Sequence, residues 1–251
     1  MVAKTTTTTT PRNSSPRHPT RIADTHITDA HDATGTRWQR ATTDELEGVV
    51  RRGASRGGGQ TVGVIAGAPT KGRLLVATPP LDDPNFDRTV VYMLEHHDEG
   101  ALGVVINRPS GEELLEPLDR WSDLQPAPGA VFAGGPVETD ALIALALSDQ
   151  PLLEATDELS PVSGRVASAD LTVDPAFVAA QVSAVRIFRG YAGWGPGQLE
   201  GEIEAGAWLV LDAEPDDVFA TEPEQLWRTI LRRQGGRLAW LADAPDDLSA
   251  N

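Results

Sequence analysis

The sequence predicts an α+β fold. Two apolar strands sit at hairpin spacing between residues 88 and 107, helix-start signals gather in the second half, and the alternation is too irregular for a doubly wound parallel sheet. No fixed-period repeat competes with that reading. The folded part begins late. Residues 1–20 carry a run of six threonines, three prolines and hardly any large apolar side chain. Such a segment buries too little surface to offset its ordering entropy, so disorder is expected there. Residues 38–50 offer a short helix, with Leu46, Val49 and Val50 near Trp38, and Arg51 to Gln60 is a basic, glycine-rich linker. Residues 1–60 are therefore expected to be a disordered extension with its linker, and residues 61–251 a single α+β domain.

The elements follow in order. Arg73 to Ala77 reads as a strand, ended by Pro79-Pro80. Arg88 to Glu95 and Ala101 to Asn107 are two more, with His96 to Gly100 as the expected five-residue hairpin loop. Glu112 to Leu118 is a short amphipathic helix candidate. Ala130 to Ala133 and Ala141 to Leu147 are strands on either side of a Gly134-Gly135-Pro136 turn. Asp174 and Pro175 supply an N-cap and first-turn proline for a helix through about Val182. Ala184 to Tyr191 is a strand with Val185, Ile187 and Tyr191 on one face. Gly195-Pro196 opens a helix that aligns Leu199 with Ile203, and Ala207 to Asp212 is a strand. Thr221 and Glu224 form a capping box for a last helix, whose stripe is Leu226, Trp227, Ile230 and Leu231.

Composition narrows the function. Hydrophobic residues make up 40% of 251, and cysteine is absent, which excludes disulfides and thiolate metal sites. No segment approaches the roughly 18 apolar residues of a membrane helix. No apolar stretch follows Lys4, Arg12, Arg17 and Arg21, so a secretory signal is not expected and the reading is cytoplasmic, with no membrane partner. The net charge of −16 is uneven: residues 1–60 hold nine basic and six acidic residues, the remainder 12 and 31, a balance of −19. An acidic domain repels phosphate backbones, so direct nucleic-acid binding by the folded part is not expected.

Four blocks are unusually position-specific: Gly72 to Pro79 with Asp83 to Arg88; Gly100 to Pro109; Gly134 to Val137; and Gly190 to Glu200, continuing into Glu202, Ile203 and Trp208. In this order and spacing they resemble the AlgH/YqgE family of bacterial proteins, over about Lys71 to Asp243. The resemblance implies a coiled, bifurcated β-sheet packed against helices. It implies no assigned activity; some members carry a transcriptional-regulator label, and no helix-turn-helix pattern is present here to support one.

The residues themselves leave two readings open at each block. Trp194 sits where a strand turns into a helix and would cover the core, while Gly193, Gly195 and Gly197 permit positive φ. The same helix start could hold an anion, against repulsion from Glu200, Glu202 and Glu204. Gly134, Gly135 and Pro136 suit a tight turn better than a phosphate loop, lacking the lysine and hydroxyl of one. Asn107 and Arg108 could hold a carboxylate or phosphate, or lock a loop. His96 and His97 point to opposite faces if extended, so a shared metal is not expected. No catalytic triad can be assembled and no cofactor is expected. The candidate ligand-binding residues are thus Asn107, Arg108, Gly134, Gly135, Pro136, Trp194, Gly195 and Gln198. They suit a non-enzymatic binding or regulatory protein with a protein or small-molecule partner. The alternatives are a nucleotide- or phosphate-binding protein or enzyme with glycine-rich turns lining its pocket, and a regulator acting directly on DNA.

Overall fold

The computed structural model describes residues 69–78, 81, 83 and 85–243. The expected disordered tail, the helix at 38–50, the basic linker and the Pro79-Pro80 breaker lie outside the described residues. The chain forms a curled, mainly antiparallel sheet with a few short helices, a mixed α+β arrangement. Its strands are β1 (Arg73–Ala77), β2 (Val90–His97), β3 (Gly100–Val105), β4 (Phe132–Ala133), β5 (Val137–Ser148), β6 (Leu159–Ser163), β7 (Val166–Ala169), β8 (Val182–Trp194) and β9 (Trp208–Asp212). They run in the order β6-β7-β5-β8-β3-β2-β1-β9, with β4 parallel to β8 off that path. The helices are α1 (Gln198–Glu204), α2 (Leu226–Gln234) and α3 (Gly236–Leu241).

Period-two alternation explains why the early strands are apolar throughout. Leu74 and Val76 of β1, and Val90, Tyr92 and Leu94 of β2, enter one core cluster. Leu75 and Ala77, with Val91 and Met93, enter a second on the other face. A third cluster lies behind β5 and β8, around the fully buried Trp121. Burial of the Tyr92 ring pushes its hydroxyl pKa far above the ordinary value. Helix α2 brings Leu226, Trp227, Ile230 and Leu231 to the first cluster, as its stripe predicts. There Trp227 Nε1 donates to the Ala77 carbonyl at 2.8 Å.

On β8 the alternation breaks. Ala184 and Phe188 belong to the first cluster and Val185 and Ile187 to the third, so Tyr191 should join the odd-numbered residues. Instead it joins the first cluster. Gly190, at φ +70°, inserts an inversion between them, and Ala192 and Trp194 then face the second cluster. The expectation of one face for Val185, Ile187 and Tyr191 is corrected accordingly.

Other elements depart from their expected form. The hairpin loop is two residues, because His96 and His97 remain in β2 and His97 pairs with Gly100. No helix forms at Glu112–Leu118; a 3₁₀ helix at Leu118–Leu124 follows Pro117, which disfavours helical geometry in the residue before it. Asp174 caps as expected, accepting from Ala176 N at 2.9 Å, but the turn ends at Phe177. The strand-forming Val182, Val185, Ile187 and Phe188 claim the chain for β8 instead. Thr221 and Glu224 form no capping box: a 3₁₀ turn at Pro223–Gln225, with Pro223 buried, leads into α2. Among the described residues no helix is long and apolar enough to cross a membrane.

Candidate functional site

Asn107 follows β3 and is nearly buried. Its Oδ1 accepts from Val90 N at 2.9 Å and its Nδ2 donates to Arg88 O at 2.9 Å, so one carboxamide holds the chain at the start of β2. Arg108 locks the preceding loop, its Nη1 donating to Asn85 O at 2.6 Å and Nη2 to Asp87 O at 2.9 Å. Partial burial lowers its pKa, against the Asp87 and Asp83 charges that raise it.

The Arg108 carbonyl accepts from Ala133 N at 2.9 Å, which brings this turn against Gly134. Gly134 then donates to Arg189 O at 2.7 Å and accepts from Val105 N at 2.8 Å. A Cβ on Gly134 would lie 2.2 Å from Gly190 O, and one on Gly135 2.2 Å from Tyr191 C. Here two backbones cross with nothing between them, while Pro136 is exposed. Asn107, Arg108, Gly134, Gly135 and Pro136 thus form one group, joined to Gly190.

Trp194, Gly195 and Gln198 form another. Trp194 is 6% exposed and packs in the second cluster with Leu199 of α1. Its Nε1 donates to Glu202 Oε2 at 2.8 Å, and Trp208 Nε1 donates to the same oxygen at 2.7 Å. Gln198 completes the clamp: its Nε2 donates to Glu202 Oε1 at 2.9 Å and its Oε1 accepts from Gly195 N at 3.1 Å. The two indoles meet edge to face, 6.0 Å apart. The sequence placed Glu202 in the fourth block and otherwise read it as a source of repulsion; the signal for its role was Gln198 one helical turn before it. Glu202→Gln replaces a charged acceptor with an amide that must turn a donor toward one of its three partners. A loss of about 1–3 kcal/mol is expected from the urea midpoint.

Of the glycines here only Gly197 has positive φ, at +73°; Gly193 and Gly195 do not. At Gly195 the nearest atom to an added Cβ is Gln198 Oε1, 3.8 Å away. Gly195→Ala should therefore leave the urea midpoint within about 0.5 kcal/mol of the parent.

The two histidines face apart, as extended neighbours must. His96 Nδ1 accepts from Thr70 N at 3.1 Å, which assigns the proton to Nε2, 2.8 Å from Glu200 Oε1. Desolvation raises the Glu200 pKa, but its own backbone N–H and the His96 hydrogen bond outweigh it, and the net shift is downward. His97 lies 3.2 Å from Glu95, which also pairs with Lys71 at 2.5 Å. Among the described residues no group of three or more His, Asp or Glu is placed to hold a metal.

The sequence drew no attention to Arg186, a lone cation on the buried face of β8. It is fully buried, stacks 4.3 Å from the Phe132 ring centroid, and burial pushes its pKa down to about 10. Its bonds go to backbone carbonyls: Nη1 to Val218 at 3.1 Å and Ala220 at 3.0 Å, Nη2 to Ala127 at 2.9 Å. Ala127 and Ala220 are the chain neighbours of Pro128 and Thr221. Those two residues line an open cleft of about 760 Å³, together with Pro109, Gly111, Ala130 and residues 222–225.

The chain is thus a curled, mainly antiparallel sheet with a glycine crossing beside β4 and β8 and a tryptophan–glutamate clamp closing β8 onto α1. The family profile described as AlgH-like matches residues 74–239. A UPF0301 protein of Streptomyces coelicolor is 50% identical over 185 residues, covering 72% of this chain and 94% of that protein. One from Mycobacterium tuberculosis is 46% identical over 183 residues, covering 72% and 90%. The solution structure of the AlgH protein from Pseudomonas aeruginosa aligns with a TM-score of 0.54 at 34% identity, over 72% of this chain and 97% of that one. A crystal structure of protein DIP2367 from Corynebacterium diphtheriae gives 0.66 at 31%, over 70% and 92%. The chain belongs to the AlgH-like family.

Proposed function

We propose that this chain is a non-enzymatic binding protein that recognises a macromolecular partner. Its surface is the Asn107–Arg108 and Gly134–Pro136 turns with the cleft that begins at Pro109, and the Trp194, Gly195 and Gln198 corner serves as its support. One observation carries this reading. The polar side chains singled out by the sequence are engaged by the protein itself: Asn107 and Arg108 by backbone carbonyls and an amide, Gln198 by Glu202 and Gly195. A nucleotide or phosphate would have to displace those bonds, and a direct DNA contact would have to overcome the −19 balance of residues 61–251.

A thermal-shift series with nucleotides, sugar phosphates and divalent metals tests it. The melting temperature should move by less than about 1 °C. A ligand at a hundred times its Kd stabilises by about 2.7 kcal/mol, several degrees for a domain this size, and such a rise would overturn the proposal in favour of a ligand pocket. The same reading includes a cytoplasmic location and a domain over 61–251. It also includes a sheet bifurcated at β8 with helices packed on it. The pairing of β8 with β5 along most of its length and with β3 at its end supports that last point.

A further inference from the structure

We infer that the cleft between the 109–111 and 128–130 loops and the Thr221–Gln225 segment takes an extended cationic peptide, an arginine- or lysine-bearing stretch of a partner protein. This rests on the binding reading above. The cleft is open to solvent and holds about 760 Å³. Two of its three lining segments are small and apolar: Pro109, Gly111, Pro128 and Ala130 put no long side chain in the way of a peptide backbone. The other is acceptor-rich. Thr221, Glu222, Glu224 and Gln225 are exposed, and Glu222 and Glu224 have no ion-pair partner among the described residues.

The 128–130 and 221–225 segments are fixed to a common point. The buried Arg186 guanidinium holds Ala127 O beside Pro128 and Ala220 O beside Thr221, so the cleft is set before any partner arrives. Preorganisation of that kind lowers the entropy lost on binding. Charge selects the occupant. Glu222 and Glu224, unpaired among the described residues, and the −19 balance of residues 61–251 attract a cationic segment and repel an acidic one.

Fluorescence anisotropy on the full chain decides the matter, with a labelled decapeptide of alternating proline and arginine and its glutamate counterpart. The arginine peptide should bind and the glutamate peptide should not. Glu222→Gln with Glu224→Gln should weaken binding about tenfold or more. The exposed pair Asp119→Asn with Asp123→Asn, outside the cleft, should change it less than about twofold. Equal losses in the two double variants would reduce the effect to bulk acidity and overturn the assignment. So would binding of the glutamate peptide, or no binding of the arginine peptide up to about 1 mM. Failure of the peptide with a silent thermal-shift series removes the occupant and leaves the binding reading intact. A melting rise with a nucleotide or sugar phosphate removes both.

Discussion

Trp194→Ala should lower stability by about 3–5 kcal/mol, a large share of the roughly 5–15 kcal/mol of an ordinary domain. The ring is 6% exposed and meets Trp208 at 6.0 Å, so truncation leaves a cavity at the junction of β8 and α1. It also removes one of the two indole donors to Glu202 Oε2, leaving a partly buried carboxylate short of a bond. Trp194→Phe separates the two effects, keeping much of the ring and losing only the donor. It should cost about 1–3 kcal/mol. Urea denaturation reads both. An unchanged midpoint for Trp194→Ala would make the residue a surface platform and return it to the recognition surface.

Gly190→Ala should be nearly as damaging, at roughly 2–5 kcal/mol. Its φ of +70° already disfavours any side chain, and an added Cβ would lie 2.6 Å from Gly135 O and 3.0 Å from Val137 O. Both are backbone atoms, so relief requires β5 or the Gly134–Pro136 turn to move. Gly197→Ala is the control: φ is +73° there, but nothing lies within 4 Å of the added carbon. It should cost only about 1–2 kcal/mol. If the two variants lose the same amount, the crossing of backbones contributes nothing beyond torsional strain.

The sequence made some of this legible and hid the rest for identifiable reasons. Short apolar runs with turn residues between them located β1, β2, β3 and β9 to within a few residues, and the stripe of α2 was read correctly because all four of its residues reach one core. Trp194 was placed at its corner because Gly195-Pro196 marks a helix start directly after the strand. Local rules failed where a tertiary partner overrode them. Gly190 reverses the facing of β8, and only the Gly135 backbone across from it explains why. Glu202 looked like surplus charge, since its two indole donors come from separate strands. Arg186 drew no attention, because the carbonyls that satisfy it lie 32 to 59 positions away along the chain. The candidate turns were found as residues, but their division into two groups depends on that strand reversal.

The position of β1 constrains how the protein is made. It lies between β2 and β9, and its pairing with β9 joins Arg73 to Asp212, 139 residues later. On a ribosome adding about 5–20 residues per second, β1 and β2 emerge roughly 7–30 s before that partner exists. Through that interval the nascent chain presents Leu74 and Val76 beside an unfilled strand edge, the geometry that invites wrong pairing between chains. Slow codons or a holdase should therefore influence the yield of native protein more than they influence its final stability.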